Sequence, residues 1–420
     1  MVGEDDPPEK ANMPFLSWGM APFLTLFTGQ AFSLLGSRLV NFSLIWWLTE
    51  STGSASVLAT ATIMFTLPQV FIGPFAGALV DRWKRKTVLM VSDSLVALAV
   101  VLLAFLYSQG AVEVWHIFAL MMIRAAGGAF QWPAMQASTT MMVPEEHLSR
   151  VSGLNQALSG TASILAPPLG ALLLELLPIQ WVLSLDVVTA VLAVGPLFLI
   201  NVPQPDREFS EAQTVVEDMK EGLRFVWGWS SLRTVIGASV LINLVVNPAF
   251  SLLPLLVTNY FEGGAAQLAW LQSANGVGMI LGGLALGAIG VSKKRMTFAF
   301  MGLAVAGACI AVVSQVPPSL LLVAVAAFFV FGFTNSMANS TIIALLQAVV
   351  PPDKQGRVFT LLLSLSVAIS PLGLAVAGPV SEMLGVRFWF LFSGVAMLAI
   401  CLYAFMSPDV RKLDEMDTSD

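Results

Sequence analysis

Twelve apolar runs, each long enough to cross a lipid bilayer, constrain this 420-residue chain more than any other feature of its sequence. A membrane-spanning helix needs about 20 such residues. The runs do not show the period-two alternation of membrane β-barrel strands. We therefore predict an all-α membrane protein with twelve transmembrane helices. The predicted spans are 20–48, 56–80, 87–107, 114–142, 148–176, 181–200, 232–260, 268–290, 296–313, 320–349, 357–384 and 388–405.

The composition points the same way. Charged residues make up 11% of the chain and hydrophobic residues 57%, whereas a soluble domain carries about 25% charged residues. Both cysteines, Cys309 and Cys401, lie inside apolar runs, so we expect neither disulfide bonds nor a metal site. The sequence contains no nucleophile paired with a base and no phosphate-binding loop, which argues against an enzyme and against an ATP-driven pump.

The positive charges are distributed unevenly along the chain. Nearly all of the 20 lysine and arginine residues fall in segments that twelve spans place on the same side as the N-terminus. Because such residues accumulate on the cytoplasmic side of a membrane, we predict that both termini are cytoplasmic. Residues 1–19 contain no basic stretch ahead of a short apolar segment, so we expect no cleavable signal peptide.

The two halves of the chain repeat each other. Residues 143–151 (VPEEHLSRV) match residues 350–358 (VPPDKQGRV), and each stretch precedes an apolar run of similar length. The polar connection between the halves has apolar residues at helical spacing, which predicts an amphipathic helix at the membrane face. We predict a tail at 1–19, six-helix bundles at 20–200 and 232–408, a linker at 201–231 and a tail at 409–420.

A charged loop joins the second and third predicted spans. Gly77 is followed by Asp81 and then by Arg82, Arg85 and Lys86. Because such charges are costly in hydrocarbon, this loop must lie at a membrane face. The spacing resembles the loop signature between the second and third helices of major facilitator superfamily transporters. The resemblance implies that Asp81 and the bases pair with neighbouring helix ends and latch one transport state. An ordinary positive-inside loop is the alternative interpretation.

Four charged residues lie well inside predicted spans, away from their ends: Arg38, Asp93, Arg124 and Asp186. A charge at the centre of a membrane helix costs roughly 2.5–3.5 kcal/mol, so such residues are candidates for transport or proton coupling. Arg38 and Asp186 lie at similar depths, and we predict that they form a pair that takes up and releases a proton. In the alternative interpretation the two arginines neutralise Asp186 and Asp93 permanently, or Asp93 anchors the charged loop.

Neutral polar residues mark one face of several other spans. In the C-terminal half they come in pairs spaced three or four residues apart, so each pair shares a helix face. Hydrogen bonds between helices are the alternative role for such residues. We predict a substrate cavity lined by Gln30, Asn41, Gln131, Asn243, Asn247, Asn275, Asn335 and Asn339.

The fifth predicted span contains a run of small residues and prolines that includes Ala166, Pro167 and Gly170. This run resembles the antiporter signature of drug-exporting facilitators, with alanine in place of three glycines. Small residues let two helices approach closely, and proline removes a backbone donor and bends the helix. The resemblance implies antiport and a tight contact here that prevents leakage through the centre of the protein.

Longer stretches extend the resemblance over nearly the whole chain. They are 48–54, 123–134, 143–146, 253–255, 356–359 and 411–414. In these stretches the chain resembles the macrolide-efflux branch of the third drug:proton antiporter group of the major facilitator superfamily. The resemblance implies a twelve-helix facilitator fold and export of an amphipathic small molecule across the bacterial plasma membrane. The proton gradient then supplies the energy without a cofactor, one chain is the working unit, and nucleic acid is not a partner.

Two other functions fit the same sequence. The first is export of a siderophore, a lipid or another endogenous metabolite, because exporters of these compounds share the same frame. The second is a membrane scaffold or scramblase that transports nothing. The intramembrane arginines count against the second function, since a cation at this depth is costly unless the protein uses it.

Overall fold

The computed structural model describes residues 20–200, 223–290 and 294–416, which form helices and short connections without any β-strand. The N-terminal half contains α1 (Ala21–Thr52), α2 (Ala55–Arg82), α3 (Arg85–Ser108), α4 (Val114–Met142), α5 (Glu145–Leu176) and α6 (Ile179–Leu199). The C-terminal half contains α7 (Ser230–Ser251), α8 (Leu253–Asn259), α9 (Ala265–Ile289), α10 (Arg295–Val313), α11 (Leu321–Val349), α12 (Pro352–Ala368), α13 (Ser370–Leu384), α14 (Val386–Met406) and α15 (Pro408–Met416).

All twelve predicted spans lie in these helices, and the predicted all-α membrane fold is confirmed. Among the described residues, 11 helical stretches are long and apolar enough to cross a bilayer on their own. The fourth span is different: α4 has 29 residues but carries Arg124 and Gln131 in its interior. It therefore depends on neighbouring helices for polar partners.

Proline divides two of the spans. The seventh predicted span is split between α7 and α8, and Pro254 lies in the first turn of α8. The eleventh is split between α12 and α13, and Pro371 lies in the first turn of α13. Proline has no N–H, so the hydrogen bonds that residues 254 and 371 would donate to the preceding turn are missing. Leu252 and Ile369, at the two divisions, still donate to Pro248 O at 2.9 Å and to Leu365 O at 3.0 Å.

The outward-facing surface of the helices is apolar. Leu98 of α3 and Phe198 of α6 are each 67% exposed. Large apolar side chains this exposed form a surface that suits lipid rather than water. Other apolar side chains, such as Leu44, Leu183 and Leu256, are fully buried in the core.

The two halves meet on one side of the molecule. We call the side that carries residues 82–86 the basic-loop face and the other side the opposite face. The start of α2 packs against the end of α13 near the opposite face. There the carboxylate of Glu382 accepts hydrogen bonds from Ser54 Oγ at 2.5 Å and from Ser56 N at 3.1 Å.

A second contact joins the halves through α5 and α9. Ser273 Oγ of α9 donates to the carbonyl oxygen of Ile164 at 2.8 Å. Gly160 and Gly276 leave room for the facing side chains at this crossing. Nearer the basic-loop face, α2 makes far less contact with α12 than it makes with α13 at the other end. The molecule is therefore closed at the opposite face and open at the basic-loop face.

The C-terminal segment is docked on the bundle. Its helix, α15, packs against α7 and α10. Asp414 is 7% exposed, and its carboxylate accepts hydrogen bonds from the backbone N–H groups of Met296 at 2.7 Å and Thr297 at 3.1 Å. These donors belong to the first turn of α10 and have no partner within that helix. Asp414 therefore caps α10 from a distant part of the chain.

Two predicted segments, the tail 1–19 and most of the linker 201–231, lie outside the described residues. The amphipathic helix predicted in this linker therefore stays a prediction. Within the part that the structure describes, residues 223–228 are helical and α7 begins at Ser230.

Candidate functional site

An ion pair joins α4 to α6 inside the N-terminal half. Arg124 Nη1 donates to Asp186 Oδ2 at 2.6 Å, and the two side chains are 8% and 4% exposed. Ser37 connects α1 to the same pair. Its Oγ donates to Asp186 Oδ1 at 3.1 Å, and its carbonyl oxygen accepts Arg124 Nη2 at 2.8 Å. A buried, charge-assisted pair of this kind is strong when complete, and removing one partner leaves an uncompensated charge.

Glycine at position 36 explains how α1 comes close enough to α6 to join this pair. A Cβ on Gly36 would meet the hydroxyl of Thr189 and the carboxylate of Asp186. Without that Cβ, the backbone of α1 approaches α6 and Ser37 reaches Asp186 directly.

The predicted pair of Arg38 with Asp186 is wrong in this structure. Arg38 turns toward α5, where its Nη1 donates to Ser163 Oγ at 2.7 Å. The depths of Arg38 and Asp186 are compatible, but consecutive residues of an α-helix point about 100° apart. Because Ser37 points at Asp186, its neighbour Arg38 cannot. The arginine that pairs with Asp186 is Arg124.

A second buried carboxylate, Asp93 of α3, is held by amides. It is 6% exposed and accepts hydrogen bonds from Gln30 Nε2 at 2.9 Å and from Gln131 Nε2 at 2.6 Å. The alternative interpretations that pair Asp93 with an arginine or with the charged loop are not what the structure shows. Gln30 and Gln131 lie seven residues from Ser37 and Arg124, so the two carboxylate clusters are about 10 Å apart along these helices.

Two bases of the charged loop bind the ends of neighbouring helices. Arg85 is 7% exposed, and its Nη1 donates to Ala137 O at 2.8 Å, near the end of α4. Lys86 Nζ donates to Ile200 O at 2.9 Å, just beyond the end of α6. Cations stabilise the carbonyl ends of helices. These contacts have the form that was predicted for the bases, and they lie within the N-terminal half.

The other members of the predicted latch are Asp81, Arg82 and Gly77. The side chain of Asp81 lies outside the described residues, and Arg82 is exposed at the end of α2. Gly77 has open space where a Cβ would lie, because it lines the cavity between the halves. A contact that latches this loop to the C-terminal half stays a prediction.

The stretch that resembles an antiporter signature packs against α1. Ala166, Pro167 and Gly170 are buried on α5, and a Cβ on Gly170 would lie 2.7 Å from the ring of Phe42. The close helix contact is therefore made within the N-terminal half.

A cavity of about 1190 Å³ opens between the halves, in the part of the molecule nearer the basic-loop face. Helices α2, α4 and α12 line it with mainly apolar groups, among which Trp132 is the largest. Its polar lining includes Gln69, Thr360 and Ser364, and Arg124 lies at its wall. A space of this size and composition suits a drug-sized amphipathic molecule. The Arg124–Asp186 pair thus borders the cavity.

None of the eight predicted cavity residues, all of which lie in the described part of the chain, lines this cavity. Gln30 and Gln131 instead bind Asp93. Asn41 is exposed on α1. The Oδ1 atom of Asn275 is buried without a hydrogen-bond partner.

The remaining four asparagines pair within their own helices. Asn247 Nδ2 donates to Asn243 Oδ1 at 3.2 Å on α7, and Asn339 Nδ2 donates to Asn335 Oδ1 at 3.4 Å on α11. An amide that pairs with its neighbour one turn away does not depend on a partner from another helix.

One pattern in the sequence marks residues that do line the cavity between the halves. Thr360 and Ser364 are spaced i and i+4 in the eleventh predicted span, so they form a short polar stripe on one helix face. Gln69 stands alone among apolar residues and gave no pattern to follow.

Sequence comparison matches most of the chain to one family model, described as Major Facilitator Superfamily, over residues 26–370. Macrolide efflux protein A of Streptococcus pyogenes is 31% identical over 393 residues, which cover 93% of this chain and 97% of that protein. Multidrug efflux pump Tap of Mycobacterium tuberculosis is 30% identical over 416 residues, which cover 95% of this chain and 96% of that protein.

Structure comparison finds the same architecture in solved transporters. The nucleoside transporter NupG superposes with a TM-score of 0.71 at 14% identity, covering 91% of this chain and 98% of that chain. A bacterial homologue of the human lysosomal transporter Spinster, in an inward-facing and unoccupied conformation, superposes with a TM-score of 0.70 at 14% identity, covering 97% and 99%. At these identities the likeness concerns the fold alone.

Proposed function

This chain belongs to the major facilitator superfamily, and on that premise we propose that it exports amphipathic organic compounds, such as macrolide-type drugs, in exchange for protons. The observation that carries the proposal is the buried Arg124–Asp186 pair at the wall of a cavity between two helix bundles. The relatives named macrolide efflux protein A and multidrug efflux pump Tap support drugs as substrates and export as the direction of transport.

Transport follows from the way the halves contact each other. We assign the basic-loop face and both termini to the cytoplasm of a bacterium, because lysine and arginine accumulate on that side. An amphipathic substrate then enters the cavity from the cytoplasmic side. Rocking of one half against the other closes that side and opens the opposite face. This motion must break the hydrogen bonds that Glu382 accepts from Ser54 and Ser56.

We assign the coupling proton to Asp186. Its charge holds α6 to α4 through Arg124 and to α1 through Ser37. A proton on Asp186 cancels its attraction to the Arg124 guanidinium, so protonation loosens three helices at once. In the state open to the cytoplasm, an antiporter has released its proton on that side, so Asp186 is charged. The intact Arg124–Asp186 pair supports this assignment. Asp93, the second buried carboxylate, lies nearer the basic-loop face, on the way from the pair to the cytoplasm.

Export is tested in an efflux-deficient bacterium that expresses this chain. We expect lower accumulation of a macrolide or of several amphipathic dyes, and we expect a protonophore to restore the accumulation. Unchanged accumulation across a broad panel contradicts the export of such compounds. Lower accumulation that resists the protonophore contradicts the coupling to protons.

The role of Asp186 is tested with Asp186→Asn in proteoliposomes. We expect substrate exchange without a gradient to persist, whereas accumulation driven by a proton gradient is lost. Glu175→Gln is the matched control, because it removes a carboxylate from the exposed end of α5. If the Asp186→Asn protein still accumulates substrate in response to a proton gradient, Asp93 becomes the candidate for the coupling proton.

A further inference from the structure

Arg38 carries a half-buried positive charge that the proposed coupling does not use. Its Nη1 donates to Ser163 Oγ at 2.7 Å. The Ser163 hydroxyl itself donates to Ser159 O at 2.8 Å, so it meets Arg38 with its lone pairs. The Nε atom of Arg38 is buried and has no hydrogen-bond partner. The guanidinium is therefore positioned by one hydroxyl and keeps unused donors.

No carboxylate in the described part of the chain forms an ion pair with Arg38. Asp186 pairs with Arg124, and Asp93 accepts its hydrogen bonds from two glutamine amides. A cation inside a membrane protein is costly unless an anion compensates it. At this site no described residue supplies the compensating anion.

Arg38 is not in the lining of the cavity, but it lies beside a contact between the halves. On α1 it shares a helix face with Asn41, which is exposed, whereas Leu39 and Val40 are buried in the core. The residue after Ser163 in α5 is Ile164, whose carbonyl oxygen accepts Ser273 Oγ from the other half at 2.8 Å. The guanidinium is thus next to the line along which the halves meet and separate.

We propose that Arg38 binds an anionic group of the transported substrate, with a carboxylate as the preferred group. The two parallel donors Nε and Nη2 match the two oxygens of a carboxylate, which supplies both the missing acceptor and the missing charge. This inference rests on the proposed export function and makes amphipathic acids its preferred substrates. An equivalent ester, which lacks the carboxylate charge, gains nothing from Arg38.

A matched pair of dyes tests the proposal in purified protein in nanodiscs. Rhodamine 110 has a free carboxylate, and rhodamine 123 is its methyl ester. We expect the acid to bind at least about tenfold more tightly than the ester. Arg38→Gln should remove that preference by weakening only the acid. Arg38→Lys should restore part of it, because lysine keeps the charge but loses the two-pronged geometry.

The control is Arg233→Gln, which removes an exposed arginine near the start of α7 and should leave both affinities unchanged. Equal binding of the two dyes, binding of neither, or equal weakening of both by Arg38→Gln contradicts the proposal. A small inorganic anion is the other possible source of the charge. If chloride binds with Arg38-dependent affinity and the acid keeps no advantage in its absence, the substrate assignment is wrong.

Failure of this inference is distinguishable from failure of the proposed function. Binding of the acid is measured without a gradient, whereas export is measured as proton-driven accumulation of the ester. Export of the ester without a preference for the acid leaves export standing and removes the role of Arg38. An Arg38-dependent preference for the acid without transport of either dye leaves the anion site standing and removes the export function.

Discussion

The interiors of the two halves are held together by different means. In the N-terminal half, α1, α3, α4 and α6 meet through side-chain hydrogen bonds and an ion pair around Asp93 and Asp186. In the C-terminal half, α9 and α11 meet through their backbones, and a Cβ on Gly278 or Gly282 would collide with the main chain of α11. The described part of the C-terminal half carries no charged residue deep in a span.

This difference separates a responsive half from a rigid one. Hydrogen bonds to a carboxylate change when it takes up a proton, so the N-terminal helices can loosen and tighten without unfolding. Close packing of two backbones has no such alternative, because it is either complete or lost. We infer that protons act on the N-terminal half, while the C-terminal half moves as one body.

The sharpest test of this comparison is Arg124→Ala. It leaves Asp186 buried without its partner, which we expect to destabilise the protein by about 3–5 kcal/mol and to abolish export. The double variant Arg124→Ala with Asp186→Ala should regain much of this stability, because no charge is left uncompensated, while export stays absent. Thermal unfolding in detergent measures stability. Equal stability of the single and double variants would show that the pair is not the joint between these helices.

The corresponding test of the C-terminal half is Gly282→Ala. The added methyl group meets the backbone of α11, and we expect a loss of about 1–3 kcal/mol. Gly287→Ala is the control on the same helix, since a Cβ there has open space around it, and it should be neutral or slightly stabilising. Proton-driven transport per folded molecule should be unchanged in both. A stable Gly282→Ala protein that has lost its coupling contradicts the division of roles.

A milder change in the N-terminal half is Asp93→Asn. The new side chain keeps one acceptor but places an amide N–H₂ against the donor of Gln30 or Gln131, so about one hydrogen bond is lost, worth about 0.5–1.5 kcal/mol. We expect the variant to fold and to export more slowly at a given proton gradient. Unfolding temperature and initial export rate are measured on the same preparation. A larger loss of stability than Arg124→Ala causes would reverse the ranking of the two clusters.

The smallest effect is expected at the contact between the halves, from Glu382→Gln. Glu382 is exposed, and its hydrogen bonds to Ser54 and Ser56 weaken when its charge is removed. We expect the state open at the opposite face to gain population by a factor of about two to five. The labelling rate of Ser381→Cys by a membrane-impermeant maleimide reports this gain, with both native cysteines replaced. A slower rate would mean that Glu382 does not hold this contact closed.

The fold could be predicted from the sequence because a bilayer leaves few choices. Length and hydropathy mark each span. Proline does not by itself mark the two that are divided, because α4, α5 and α6 also contain prolines and are unbroken. The docking of α15 had no such signal. Asp414 lies in a short polar segment, and nothing local shows that its carboxylate will cap α10.

The site could be predicted only in part. Charges inside apolar runs stand out, so Arg38, Asp93, Arg124 and Asp186 were found. Their partners were not, because position along a helix gives depth but leaves open which way a side chain points across the bundle. Ser37 and Arg38 are adjacent in the sequence, yet Ser37 contacts α6 and Arg38 contacts α5. The cavity was missed for a related reason: most of its lining is apolar and looks like any other membrane helix.

The polar interior of α4 has a consequence for how this protein is made. Membrane helices are synthesised and inserted in order, and Asp186 follows Arg124 by 62 residues. When α4 leaves the ribosome its counter-charge does not yet exist, and an uncompensated arginine costs roughly 2.5–3.5 kcal/mol at the centre of the bilayer. The carboxylate already present is Asp93 on α3, which Gln131 binds at 2.6 Å. We therefore expect helices α3 and α4 to enter the membrane as a hairpin, with α6 securing α4 once Asp186 is in place.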